Sequence, residues 1–155
     1  MKYLKVGLLL LITAVAQTTI LAWVTIFSVR IDLFLIVVVS FGLLKGRKSG
    51  LAIGFIAGLI QDIFVGRFIG LHAVSKMIVG YLLELMEQKV FKENLFVSVV
   101  AVFLGTLMAE FIIWFISLFL FWHYPFLNAV KQVILPSALV NAIFAPLVYS
   151  RLYKS

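Results

Sequence analysis

Six apolar runs, separated by polar stretches too short to fold alone, make up most of this chain. They lie at residues 6 to about 29, 33–44, 50 to about 65, 70–83, 95–122 and 133–149. A helix rising ~1.5 Å per residue needs roughly 20 apolar residues to cross a bilayer. The first and fifth runs are long enough unaided. The run at 33–44 covers only about 18 Å, so it must borrow flanking residues, thin the bilayer or sit inside a bundle. Composition agrees. With 65% hydrophobic and 12% charged residues and a mean hydropathy of +1.21, a water-soluble domain could not cover its core. The expected architecture is all-α: a polytopic membrane helix bundle of about six transmembrane helices. It forms a single integral membrane domain over residues 1–155, since no loop is long enough for a soluble one.

The net charge of +7 could suggest nucleic acid, but the basic residues lie between apolar runs. That placement fits membrane orientation, so no nucleic-acid partner is expected. Six spans put both termini on one side. Lys2, Lys5, Lys45, Arg47, Lys48, Lys89, Lys92, Arg151 and Lys154 fall there, against Arg30, Arg67 and Lys131 opposite. The excess makes the first side cytoplasmic. Trp122, His123, Tyr124 and Phe126 then mark the outer interface. Ala14-Val15-Ala16 resembles a signal-peptide cleavage site, but the apolar run continues past it, so a retained span is expected.

The stretch GLAIGFIAGLIQDIFVGRFIG places glycine at 50, 54, 58, 66 and 70, with Asp62 on the remaining rung. Residues four apart share one helix ridge. Gly50, Gly54 and Gly58 therefore make a groove without side chains. Lipid tails solvate leucine as well as a neighbouring helix does, so close backbone approach drives association, and glycine permits it. The groove serves packing within the bundle or docks another protein's transmembrane helix. Ala101, Gly105 and Ala109 form a second small ridge, and Ala138 and Ala142 a third beside Asn141, which can hydrogen-bond across helices.

Ionisable residues within a span are costly and usually meet a partner or a cavity. Asp62, Lys76 and Glu110 all fall in the outer half of the membrane. An internal cluster of Asp62 or Glu110 with Lys76 is one arrangement; Asp62 capping backbone groups near a helix end is the other. His72 and His123 lack a second histidine at metal-ligand spacing, and each reads as a solvated interfacial residue. Without cysteine there are no disulfides or thiolate metal sites. No G-x-S-x-G elbow, H-E-x-x-H helix or phosphate loop occurs. Neither an enzyme nor a cofactor is expected.

The run GFIAGLIQDIFVGRFIGLHAVSKMIVGYL, residues 54–82, resembles the central signature of the bacterial rod shape-determining protein MreD family. Gly54, Gly58, Leu59, Asp62, Gly70, Gly80 and Tyr81 carry the likeness. ILPSALVNAIFAPLVYSRLY, residues 134–153, resembles that family's last span, with Pro136, Asn141 and Pro146 in place. RIDLFLIVVV is similar to the start of its second span, although Ile31 stands where the family usually has proline. The resemblance implies a cell-shape subunit of the elongation machinery (the elongasome) in the bacterial cytoplasmic, or inner, membrane. It would bind MreC, in a membrane protein complex with MreB, RodA and a class B penicillin-binding protein, and help organise lateral peptidoglycan synthesis. The family also looks like the substrate-binding S-components of energy-coupling-factor vitamin transporters, which makes an S-component the alternative. S-components usually carry A-x-x-x-A in their first span. Here Thr18, Ile20 and Ile26 follow Ala14, Ala16 and Ala22 four residues on, so that motif is absent.

Overall fold

A computed structural model describes residues 2–20, 23–26, 28–45, 49–64, 68–86, 94–120 and 124–154. The chain forms α1 (Lys2–Val15), which runs into a π-helical turn at Ala16–Ile20. Two two-residue strands follow, β1 (Thr25–Ile26) and β2 (Val29–Arg30). Then come α2 (Leu33–Lys45), α3 (Ser49–Phe64), α4 (Leu71–Met86) and α5 (Leu95–Phe119). The last run is α6 (Phe126–Ala129), a π-helical turn at Val130–Ile134, and α7 (Leu135–Lys154). The fold is an all-α helix bundle. The strands pair only with each other, Thr25 opposite Arg30 and Ile26 opposite Val29.

α2 occupies the centre, and its sequence explains why. It is apolar all round rather than along one stripe, so it has no face to offer water and must be covered on every side. Every residue from 34 to 43 is buried. Leu35, Ile36, Val39 and Leu43 pack with Val79 and Leu83 of α4, Val102 of α5 and Tyr149 of α7. On its other side Phe34, Val37, Val38 and Phe41 meet Leu10 and Ala14 of α1 and Ile53 and Ala57 of α3. The short run at 33–44 thus sits inside the bundle.

The first apolar run does not stay helical to residue 29. Thr13, Thr18 and Thr19 each turn their hydroxyl onto a carbonyl four residues back, a bond that competes with regular helix geometry. The helix widens into its π turn at Ala16–Ile20, and the chain then reverses through the short hairpin, with Ser28 at φ 65°. Ala14, part of the cleavage-like tripeptide, is built into the core. At the other end of the chain the last helical run begins before residue 133 and extends over Phe126–Lys154. Pro136 cannot donate a backbone hydrogen bond and crowds the carbonyl four residues earlier. The π turn immediately before it opens the ladder where that crowding falls.

Candidate functional site

The glycines bring α3 and α4 into backbone contact. A β-carbon on Gly54 would lie 2.3 Å from the carbonyl oxygen of Lys76, and one on Gly58 would lie 2.3 Å from that of His72. From the other helix, a β-carbon on Gly80 would lie 2.2 Å from the carbonyl oxygen of Gly50. Gly50 therefore serves by offering its backbone to Gly80. The two helices run antiparallel with glycine opposite backbone along their length. The ladder's face is occupied by α4, not open to another protein's helix. Gly105 does the same work more loosely on α5, where a β-carbon would meet Val39 at 3.1 Å and Val79 at 3.4 Å. Ala101, Ala109, Ala138 and Ala142 are buried as well.

Asp62 closes the end of this hairpin at the turn between α3 and α4. It is 1% exposed, and its carboxylate accepts four hydrogen bonds. Oδ2 takes the backbone N–H of Gly70 at 2.8 Å and of Ala73 at 3.1 Å. Oδ1 takes the backbone N–H of His72 at 3.0 Å and its Nδ1 at 2.7 Å. A carboxylate only accepts, so Nδ1 carries the proton. The first N–H groups of a helix have no partner within it, and an anion there also meets the positive end of the helix dipole. Asp62 supplies both from the neighbouring helix. Gly70, at φ 109°, makes the turn that aims these donors, a conformation that side chains disfavour. His72 is thus held by Asp62 rather than simply solvated. His123 lies outside the described residues.

Asp62→Asn tests this cap. Whichever way the amide is turned, its nitrogen faces two donors in place of an acceptor. Leaving buried donors unsatisfied costs about 1–3 kcal/mol each. The variant is expected to lower the thermal unfolding midpoint in detergent by several degrees.

Lys76 takes a different partner from either acid expected. It is 0% exposed, and its Nζ donates to Oδ2 of Asp32 at 2.8 Å. Asp32 stands just before α2 and also caps it, Oδ1 accepting from Leu35 N at 3.1 Å. Its own N–H donates to Oδ1 of Asn141 on α7 at 2.9 Å. Asn141 Nδ2 reaches Thr106 Oγ1 of α5 at 3.3 Å. Gln17, in the first π turn, brackets the same corner. Its Nε2 donates to Ile31 O at 2.7 Å and its Oε1 accepts from Leu33 N at 2.9 Å. The start of α2 is thereby tied to the end of α1, to α4 and to α7. Ser75 of α4 adds a bond to Ala109 O of α5 at 3.0 Å. Glu110 lies in the field of both Asp32 and Lys76 but hydrogen-bonds to neither.

Asp62 and Lys76 are therefore in separate networks, one closing a hairpin and one joining four helical segments. Sequence reasoning missed Asp32 and Gln17. Asp32 carried a signal, an acid directly before an apolar helical run, which is where an N-cap stands. Gln17 carried only its polarity.

An apolar groove of about 860 Å³ runs along α5, between Val79, Leu82 and Leu83 of α4 and Phe126, Val130 and Ile134. Every residue lining it is apolar. Among the described residues no group of three or more metal-ligating side chains occurs.

A bundle whose α3 and α4 meet backbone to backbone, and whose Asp32, Asp62, Lys76 and Asn141 find partners inside it, is packed as a helical membrane protein is. The sequence matches the family model for the rod shape-determining protein MreD over residues 1–154, and the chain belongs to that family. It is accordingly a membrane protein of the cell-shape machinery. No curated protein and no solved structure matches it.

Proposed function

We propose that this protein is a non-enzymatic, multi-pass membrane subunit of the bacterial cell-elongation complex that binds MreC in the bilayer. Through it the protein joins MreB, RodA and a class B penicillin-binding protein, and helps direct lateral peptidoglycan synthesis. Both termini are cytoplasmic. The observation that carries this reading is the family match along essentially the whole chain. The interior supports a scaffold. Lys76, Asp62 and Asn141 are committed to partners within the bundle.

The groove weighs against the transporter alternative. A site for a polar small molecule needs a few converging polar groups, and the groove's lining offers no side-chain donor or acceptor.

Purification from native membranes in mild detergent tests the proposal. MreC is expected in the eluate. Recovery of a vitamin or an ATP-binding-cassette module without MreC would overturn it. A reporter fused after Ser155 is expected to be active only in the cytoplasm.

A further inference from the structure

The helices of this bundle differ in length, and the difference is sorted by side. α3 and α4 have 16 residues each and so span about 24 Å apiece. α5 has 25 residues and spans about 37 Å. The hydrocarbon core of a bilayer is about 30 Å thick. Tilt resolves only one of these mismatches. Leaning by less than about 40°, within the usual range, brings the projection of α5 down to that thickness. A short helix gains nothing by leaning. On the α3–α4 side either flanking residues extend the crossing or the lipid thins.

The outer end of the hairpin favours the second. Phe64 and Ile69 there are 63% and 76% exposed, and Phe68 is exposed beside them. A tip standing clear in water would not present three large apolar side chains together. Nor do the first N–H groups of α4 need water, because Asp62 satisfies them from within. The hairpin therefore ends at the hydrocarbon boundary instead of projecting beyond it. The described helices supply ~24 Å of crossing on this side.

We propose that the α3–α4 face thins the bilayer beside it by about 6 Å, the shortfall against an ordinary core, and that this face prefers lipids with short acyl chains. The inference rests on the multi-pass reading above.

The chain has no cysteine, so single nitroxide labels can be placed without background. Three exposed positions suffice: Ile69→Cys at the outer tip, Leu85→Cys near the inner end of α4, and Ile56→Cys midway along α3. Depth is read from collisions with oxygen and with a water-soluble nickel chelate, in phosphatidylcholine nanodiscs of ordinary and of long acyl chains. Ile69 and Leu85 are both expected at headgroup depth in each, although their separation along the helix is shorter than either bilayer. If either label lies several ångströms inside the hydrocarbon, the helix is submerged in a bilayer of unchanged thickness and the thinning proposal is wrong. The Ile56 label guards the parent reading. If it is not in hydrocarbon, the hairpin does not cross the membrane and the multi-pass reading fails first.

Discussion

Gly58→Ala is expected to take apart the α3–α4 hairpin, although it adds a single methyl group. The new carbon would stand 2.3 Å from His72 O, 2.5 Å from Ala73 Cα and 2.6 Å from Ala73 N. All three are backbone atoms of a helix, so no rotamer change can relieve the clash. The helices would have to part by about 1 Å to restore ordinary contact distances, and a gap of that size forfeits a quarter to a half of the dispersion attraction across the seam. One turn further along α3, the parting would also pull Asp62 from the donors it caps. The cost lies at or above the top of the overpacking range, about 3 kcal/mol. Gly54→Ala and Gly80→Ala meet equivalent clashes and are expected to behave alike. Gly7→Ala on α1 is the control. Nothing lies within 4 Å of its added carbon, and alanine is the better helix former by roughly 0.5–1 kcal/mol. The measurement is the yield of monodisperse protein and its unfolding midpoint in detergent. Near-normal values for Gly58→Ala would mean that the seam is not tightly packed.

Much of this hairpin was legible in the sequence, for a physical reason. A glycine every four residues in an apolar helix has few uses besides close approach, and an acid at the end of that ridge has few besides a charge or a helix terminus. The helices at 33–44 and 50–64 are also local facts of hydropathy. The partner of Lys76 was not legible. Asp32 lies 44 residues away, and its position opposite Lys76 depends on the chain turning through a hairpin and on Asn141 holding the first turn of α2 from α7. Those are tertiary contacts with no period in the sequence. The first apolar run misled for a related reason. Hydropathy alone cannot see that Gln17 leaves the helix direction to bracket residues 31 and 33, or that Ser28 takes a left-handed conformation. Glu110 reads in sequence as an intramembrane acid in search of a partner. In the structure it lies near Lys76 and Asp32, which hold each other.

That arrangement makes Asp32→Asn and Lys76→Met unequal. Asp32 is 15% exposed at its side chain and keeps its capping bond to Leu35 N without the lysine. Lys76, 1% exposed at its side chain, is left as a buried cation if Asp32 is neutralised. Breaking a buried pair from one side costs about 3–5 kcal/mol, and the larger part is expected from Asp32→Asn. The double variant removes both charges together and should recover much of the loss, since a buried pair contributes little over an apolar replacement. Glu110 then decides how the single variant behaves. It stands within the field of Lys76, so its charge is expected to offset part of what the lysine loses with Asp32. Asp32→Asn combined with Glu110→Gln should therefore cost more than the two single changes added together, because the cation loses its second refuge as well as its first. Glu110→Gln alone, with Asp32 in place, should cost little. Unfolding midpoints and folded yields of the three single and three double variants read out these comparisons. Strict additivity throughout would show that neither acid matters to Lys76 energetically. A recovery on pairing Lys76→Met with Glu110→Gln, but not with Asp32→Asn, would move the ion pair from the start of α2 to the middle of α5. The start of α2 would then be held by Gln17 and Asn141 alone.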